Sequence, residues 1–530
     1  MGPPTARRKA RQTRRSRWLL LPAITAVLTA LAHGQSPDQP VGAETARPAL
    51  TASELWPMDR VLDIEITLRS EDWDKLRHEG RDLMAWFHDG RRAAPPPSPF
   101  EYVPADVTID GVAFPQVGLR KKGFLGSLSN SRPSLKIKLN YSDKQGGIDG
   151  ITHITLNNNR QDRSLLSQFM GYAVFRAAGS PVCRCGFAKV SVNGNDLGVY
   201  CHVESMKRPF FEREFGSDKG VLYEGRDVDF RDGWADSFER KFGKKRKGRK
   251  QLQLLAKALE SEQAPTTLDE IGKLVDLDAF YRFWATETLL GFWDGYSGNR
   301  NNFYVYLNPQ TDRFHFLPWG LDVGFQEHDP DRPRGSPVLA GTTGILAHKL
   351  YQTEEGRQGL AQHLEHLLRE CWDEEALLAE IDRVQQLVEP HVHTTQATRE
   401  PHVEKIRRYI TTCRQVLLDE LAGGLPEWSA PPDPPPVIPG ARSDPADYPA
   451  IWDAAKARDT DEVRRLLRLD AESLSADEMD KLCVTLGQIA YHMDKRRPVS
   501  RWRSLLPYGA VLLAAAVLLA LWNRQRRLAR

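Results

Sequence analysis

The chain has 530 residues, 41% hydrophobic and 27% charged, with a formal net charge of +3. That length holds one large domain or two to three ordinary ones with a sizeable core, and the near-neutral balance gives no general ground for a nucleic-acid partner. Six cysteines in so long a chain exclude a disulfide scaffold, and no Cys-x-x-Cys zinc pattern occurs.

Residues 7–17 are strongly basic, 18–32 apolar, and small or polar residues follow at Ala32-His33-Gly34-Gln35. This is the layout of a cleaved export signal over 1–34. Thr13-Arg14-Arg15 loosely matches a twin-arginine signal, although Arg17 interrupts the expected start of the apolar run. Residues 35–57, rich in Pro, Ala and small polar residues, form a flexible lead-in, and the folded body is expected from Met58. VLDIEITL alternates as a strand does, and Ser70 is placed to cap a helix. After the Pro loop at 93–99, YVPADVTIDG, VAFPQVGLRKKG and SLKIKLNYS read as successive strands with turns at Asp110-Gly111 and Gly123 to Gly126, so the first third is largely antiparallel sheet. The stretch from Ser164 to Gly179 fits a helix, for which Asp162 or Ser164 serves as cap. FAKVSVNGNDLGVYCHVES is a hairpin around Asn193-Gly194. Cys183 and Cys185 share a strand face, so one can pair with Cys201 in an oxidising compartment, or all stay as buried thiols. The basic run 240–250 lacks interleaved aromatic residues and reads as a solvated insertion loop.

From about residue 266 the pattern is helical, broken by Trp293 to Phe325. There Asp294 precedes Asn299 by five positions and Asp322 closes the segment. Phosphoryl-transfer sites of the protein-kinase kind use an Asp that accepts the nucleophile's proton, an Asn five residues on that binds metal, and a later metal-binding Asp. FYVYL and FHFLPW read as strands joined by the turn NPQTD, a hairpin that brings Asp322 back beside Asn299. Helices continue from Gly344 to Leu421. The histidines at 363, 366, 391, 393 and 402 lack a His-Glu-x-x-His pattern and need no metal to explain them. Residues 426–446 are a Pro-rich linker, 447–494 a small helical element, and Leu505 to Trp522 eighteen uncharged residues that read as a transmembrane helix before a basic cytoplasmic tail, 523–530. With the export signal, this orientation puts the main domain outside the cytoplasm, periplasmic or at the cell surface. G-x-x-x-x-G-K-[ST], G-x-S-x-G and G-x-G-x-x-G are all absent, which weighs against familiar NTPase, hydrolase and dinucleotide sites.

Four ordered blocks, EYVPADVTIDG, VGLRKKGFLGSLSNSRPSLKIKL, GYAVFRAAGSPVCRCGFAKVSVNGNDLGVYCHVESMKR and FWDGYSGNRNNFYVYLNPQTDRFHFLPWGLDVGF, together resemble the CotH kinase family of spore-coat-protein-H-like proteins, over about residues 60–420. The resemblance implies an α+β, atypical protein-kinase-like fold over 58–425, with a sheet-rich part followed by a mostly helical part. It also implies use of ATP and Mg²⁺ or another divalent metal. By position, Asp294 resembles the catalytic Asp, and Asn299 and Asp322 the metal ligands. Glu204 matches a family position that orients a Lys or touches the nucleotide. Such a site also needs a strand Lys for the phosphates, and Lys136 and Lys138 face one side of their strand. Two departures stand out: Gly320 occupies a position where the family usually has Asp, and Arg120-Lys121-Lys122-Gly123 is an altered form of its basic motif. The implied activity is an exported, membrane-anchored kinase that phosphorylates Ser or Thr of envelope or surface proteins. The alternatives are an inactive kinase-fold module of the envelope and metal-dependent transfer to a glycan or other envelope polymer.

Overall fold

The computed structural model describes residues 50–80, 95, 97–123, 127–260, 267–327 and 342–425, with short stretches between 450 and 479. The expected export signal, the Pro-rich linker and the Leu505 to Trp522 span lie outside the described residues. Among those described, no helix is long and apolar enough to cross a membrane.

Strand β1 (Leu62–Thr67) alternates buried and exposed residues, as its sequence predicts, and sends Leu62, Ile64 and Ile66 inward. It is followed by helix α1 (Ser70–His78), whose N-cap is Arg69 rather than Ser70 and makes no capping side-chain bond. Strands β2 (Val103–Ile109), β3 (Val112–Lys122), β4 (Ser134–Lys138), β5 (His153–Asn157), β6 (Cys185–Val192) and β7 (Asn195–Glu204) complete the sheet. The expected antiparallel sheet closes on itself as a seven-stranded barrel in the order β1-β2-β3-β4-β5-β7-β6. Closure rests on a parallel pair, Leu62 opposite Ala188 through Ile66 opposite Val192, and leaves the barrel no free edge. The interior is filled by Ile64, Ile109, Leu119, Ile137, Ile154 and Val190, all fully buried, each contributing about 1.5–3 kcal/mol. The folded body starts before Met58: Leu55 is buried in this core and Trp56 stacks on His202 at 5.0 Å.

Helix α2 (Ser167–Ala177) lies on the barrel, with Phe169 against Phe187 at 5.2 Å, and its Phe175 reaches Phe283 on the far side. After α3 (Arg208–Phe215) comes a second sheet in the order β11-β10-β8-β9, built from β8 (Val221–Gly225), β9 (Glu239–Phe242), β10 (Phe303–Leu307) and β11 (Phe314–Pro318). β10 and β11 form the expected hairpin, Phe303 opposite Pro318. Helices α4 (Lys245–Glu260), α5 (Thr267–Leu274), α6 (Leu277–Leu289), α7 (Tyr296–Asn299), α8 (Ile345–Tyr351), α9 (Glu354–Glu370), α10 (Glu374–Val388) and α11 (Gln396–Ala422) make up the rest of the domain, and α12 (Thr460–Leu466) falls in the small helical element. Tyr296, Phe303, Phe316 and Phe280 pack centroid to centroid at 4.7–6.0 Å, joining the second sheet to α6 and α7. The molecule is thus α+β, sheet-rich first and helical later.

The basic run 240–250 is not a loop. Lys241 lies in β9 and makes ion pairs of 2.7 Å with Glu224 and Glu239, and α4 begins at Lys245. The described cysteines are free thiols; Cys185 and Cys201 lie on neighbouring strands with Sγ atoms 3.2 Å apart.

Candidate active site

The Asp294 turn is built from α6 outward. Glu287, in the last turn of α6 and 1% exposed, accepts hydrogen bonds from the Tyr296 and Ser297 amides, both 2.9 Å, and from the Ser297 hydroxyl, 2.6 Å. A carboxylate at these orphan amides fixes the start of α7. Arg300 and Asn302 then take left-handed φ of 55° and 48°, folding the chain back so that three asparagines converge on Asp294. Asn299 and Asn301 donate to its Oδ1 at 2.7 and 3.1 Å, and Asn302 donates to Oδ2 at 2.7 Å. Burial nevertheless pushes the Asp294 carboxyl up to about 6, since desolvation outweighs the three amides and Asp227 adds repulsion. The Asn301 Oδ1 beside it is buried and has no partner among the described residues.

Asp322 follows the hairpin. The Trp319 amide donates to the Asn302 carbonyl, 3.1 Å, tying the end of β11 to the Asp294 turn. Ser167, at the start of α2, donates to the Leu321 carbonyl, 2.7 Å, and accepts from the Gly324 amide, 2.9 Å. Both sides of Asp322 are therefore clamped to one helix terminus. Burial pushes its carboxyl up to about 7, with repulsion from Asp294 and Asp162 added and Lys122 acting against them. Asp162 is the turn residue before α2: it accepts from the Ser167 amide, 2.7 Å, and from the amide and hydroxyl of Ser164. Between them, a cavity of about 350 Å³ is lined by Asp162, Trp293, Asp322 and Lys405 among others.

Gly320 has φ +59°, and a Cβ there would sit 2.7 Å from the Asn302 Oδ1. The position where a carboxylate was expected is packed against the asparagine that anchors Asp294.

The barrel face opposite carries the cations. Arg120 pairs with Lys136, Lys136 with Thr155, and Thr155 with Val203, so their side chains stand on one outer face. Lys138 shares it and lies over the rings of Tyr102 and Tyr141 at 5.7 and 6.0 Å. Burial drives the Lys136 ammonium well below its ordinary range, and the positive charges of Lys207, Arg120, Lys122 and Lys241 push the same way. Burial first, and then the charges of Lys136, Lys207, Lys138 and Arg120, lower His153 to about 3. Lys122 donates to the Asn157 Oδ1, and Asn157 donates to Gln168 on α2 at 2.8 Å. Burial lowers Lys122 to about 8 against the pull of Asp322.

The structure thus brings Asp294, Asn299 and Asp322 together and sets Lys136 and Lys138 on one cationic face. Glu204 does not join them. It pairs with Ile154, and so points to the other face of the sheet, where it accepts from Arg213, 2.7 Å twice, and Arg184, 2.9 Å. Lys122, Glu287, Asn301 and Asn302 were missed by sequence reasoning. Alternation along β3 could have found Lys122, since Val117 and Leu119 point inward and Lys121 with them. Lys121 is fully buried and donates to the carbonyls of Arg77 and Glu79 at the end of α1, 2.6 and 2.7 Å, which leaves Arg120 and Lys122 facing out.

Among the described residues no cluster of three or more His, Cys, Asp or Glu can hold a metal ion. The oxygen donors here are of another kind, two half-buried carboxylates with amide oxygens, one of them the Asn301 Oδ1, which has no partner among the described residues. That set fits a hard divalent cation, which favours carboxylate and carbonyl oxygen.

Inner spore coat protein H of Bacillus subtilis is 24% identical over 292 residues, covering 52% of this chain and 79% of that protein. Invasin CotH2 of Rhizopus delemar is 19% identical over 292 residues, 49% of this chain and 48% of its own, so this chain spans about half the length of that relative. A Helicobacter pylori proinflammatory kinase, CtkA, aligns in its crystal structure with 12% identity over 58% of this chain and 96% of the other, at a TM-score of 0.30, too low to bear on the argument. The family model described as CotH kinase protein matches residues 119–417, more than half of the 530, and runs from the β3 cations through Asp294 and Asp322 to α11. The chain belongs to the CotH kinase family.

Proposed function

We propose that this protein is an exported, membrane-anchored kinase that transfers the γ-phosphate of ATP to Ser or Thr hydroxyls of envelope or surface proteins. One observation carries the reading: two half-buried carboxylates with raised proton affinity stand near a group of lysines, among them Lys136, on which Lys207, Arg120, Lys122 and Lys241 act as like charges. Each half sets like charges against one another. A divalent cation and a polyphosphate neutralise both at once, and the cation supplies charge stabilisation on the transferred phosphoryl oxygens.

In this reading Asp294 orients the acceptor hydroxyl and takes its proton; a carboxyl near 6 suits a base working at neutral pH. Asn299 and Asp322 hold the cation with the Asn301 Oδ1. Lys136 and Lys122 bind phosphate oxygens, and Lys138 and Arg120 extend that field to the rim. Lys122 is steadied by Asn157 and Gln168, where many kinases use a Glu. The kinase-like fold, the export signal over 1–34 and the anchor over 505–522 belong to the same proposal and rest on sequence. The inactive alternative draws on Gly320, but a site packed around that glycine does not need a carboxylate there.

The test is thermal unfolding of the full chain with and without Mg-ATP. A ligand held only by the folded state raises the melting temperature, by roughly 3 °C or more at a hundredfold excess over Kd. No rise at millimolar Mg-ATP would overturn the nucleotide reading.

A further inference from the structure

A second cavity, of about 280 Å³, adjoins the Asp162 turn and is walled by Asn159, Arg132, Arg163, Gly198, His393 and Arg399, among others. Its floor carries a polar group with nothing to bind. Asn159 is 5% exposed, and neither its Oδ1 nor its Nδ2 has a partner among the described residues. Its neighbours are fully engaged: Asn157 bridges Lys122 and Gln168, and Asn158 donates to the carbonyls of Ser127 and Arg132 at 2.9 and 2.8 Å. Asn159 is held in left-handed backbone, φ 51°, which commits its side chain to the cavity wall. Buried amides are ordinarily satisfied, so an empty pair of donor and acceptor in a cavity points to a ligand.

The charge of the wall gives the ligand's sign. Arg399 is 1% exposed; it pairs with Glu389, but its Nε has no partner among the described residues. Arg132 spends its donors on the carbonyls of Leu197, Asn158 and Val199 and keeps its charge. Arg163 stands exposed at the rim. The carboxylate of the wall, Asp162, already accepts from Ser164 and Ser167 through both oxygens. His393 is turned to Asp196, 3.2 Å away. Three guanidiniums, one of them already paired with Glu389 outside the wall, thus line the space with one committed carboxylate, and the space is at the small end of ligand pockets.

We propose that this cavity binds a small organic oxyanion, a carboxylate or a phosphate ester much smaller than a nucleoside triphosphate. Its charged end meets Arg399, and its neighbouring polar atoms pair with the Asn159 amide. The cavity shares Asp162 and Arg163 with the Asp322 cavity, but Asn159, Arg132 and Arg399 line it alone, and the proposal does not depend on the kinase reading.

Isothermal titration of the full chain with inorganic phosphate and with malonate as probes tests it. Glycine tolerates the left-handed backbone, so Asn159→Gly removes the amide without strain. The expected result is binding of at least one probe by wild type, retained in Lys136→Met and weakened at least about tenfold in Asn159→Gly. Phosphate alone marks the phosphate-ester class, and malonate alone the carboxylate class. The proposal is overturned by no binding of either probe, by equal affinity in Asn159→Gly, or by loss in Lys136→Met, which assigns the anion to the lysine cleft. If Asn159→Gly does not fold, the exposed Arg163→Ala decides in the same way: weaker binding supports the site and unchanged binding removes it.

Discussion

Replacing Asp322 by Asn should stabilise the protein when nucleotide and metal are absent. The fold raises this carboxyl from an ordinary 3.8 to about 7, through burial first and then the charges of Asp294 and Asp162. Between those values the native state keeps a proton that the unfolded chain has released. Stability therefore falls as pH rises through the window, and the loss is complete above about pH 7. At about 1.4 kcal/mol per tenfold change in proton affinity the ceiling is about 4 kcal/mol. The side chain is half-buried rather than sealed, so solvent screens part of this and the expected loss is on the order of 2 kcal/mol. Asn carries no charge at any pH. Urea unfolding from pH 4 to 8 should show Asp322→Asn gaining on wild type as pH rises, ahead by about 2 kcal/mol at pH 8 and near equal at pH 4. Millimolar Mg²⁺ should shrink or reverse that lead by stabilising only wild type. A variant no more stable than wild type at pH 8 would refute the reasoning.

Glu204→Gln tests the opposite kind of carboxylate. It leaves Arg184 and Arg213 facing a neutral partner in a largely buried place, and should cost about 3 kcal/mol in denaturant while the melting response to Mg-ATP survives. Loss of that response in a folded variant would return Glu204 to the cleft. Gly320→Asp places a side chain at φ +59° against Asn302, and should cost about 1–3 kcal/mol and weaken the Mg-ATP response by disturbing the Asp294 turn. A stronger response would mean that the missing carboxylate, and not the packing, limits the site.

How much of this was readable in advance depends on the range of the interactions. Local alternation placed β1 to β4, and the Asn193-Gly194 and NPQTD turns placed two hairpins, because period and turn chemistry act within a few residues. The helix over Lys245 was read as loop because its charge hid an apolar stripe, Leu252, Leu255 and Leu259, that only packing makes plain. Barrel closure needed the parallel pairing of β1 with β6, more than a hundred residues apart, which no local pattern encodes. The site was legible as a triad by spacing and resemblance. Its supports were not: Glu287 works through the amides of a turn nine residues on, and Asn301 and Asn302 work through left-handed backbone at Arg300 and Asn302. Glu204 looked functional from position alone, and strand parity sends it to the other face.

Transfer of labelled γ-phosphate from Mg-ATP to an acidic protein acceptor, compared between wild type and Asp294→Asn at pH 7.5, tests the central claim most directly. Asn keeps the shape of the turn but cannot take the acceptor's proton, so wild type should incorporate label and the variant should fall at least about a hundredfold, with its Mg-ATP melting response kept. Equal incorporation by the two proteins, or none by either, would contradict the account.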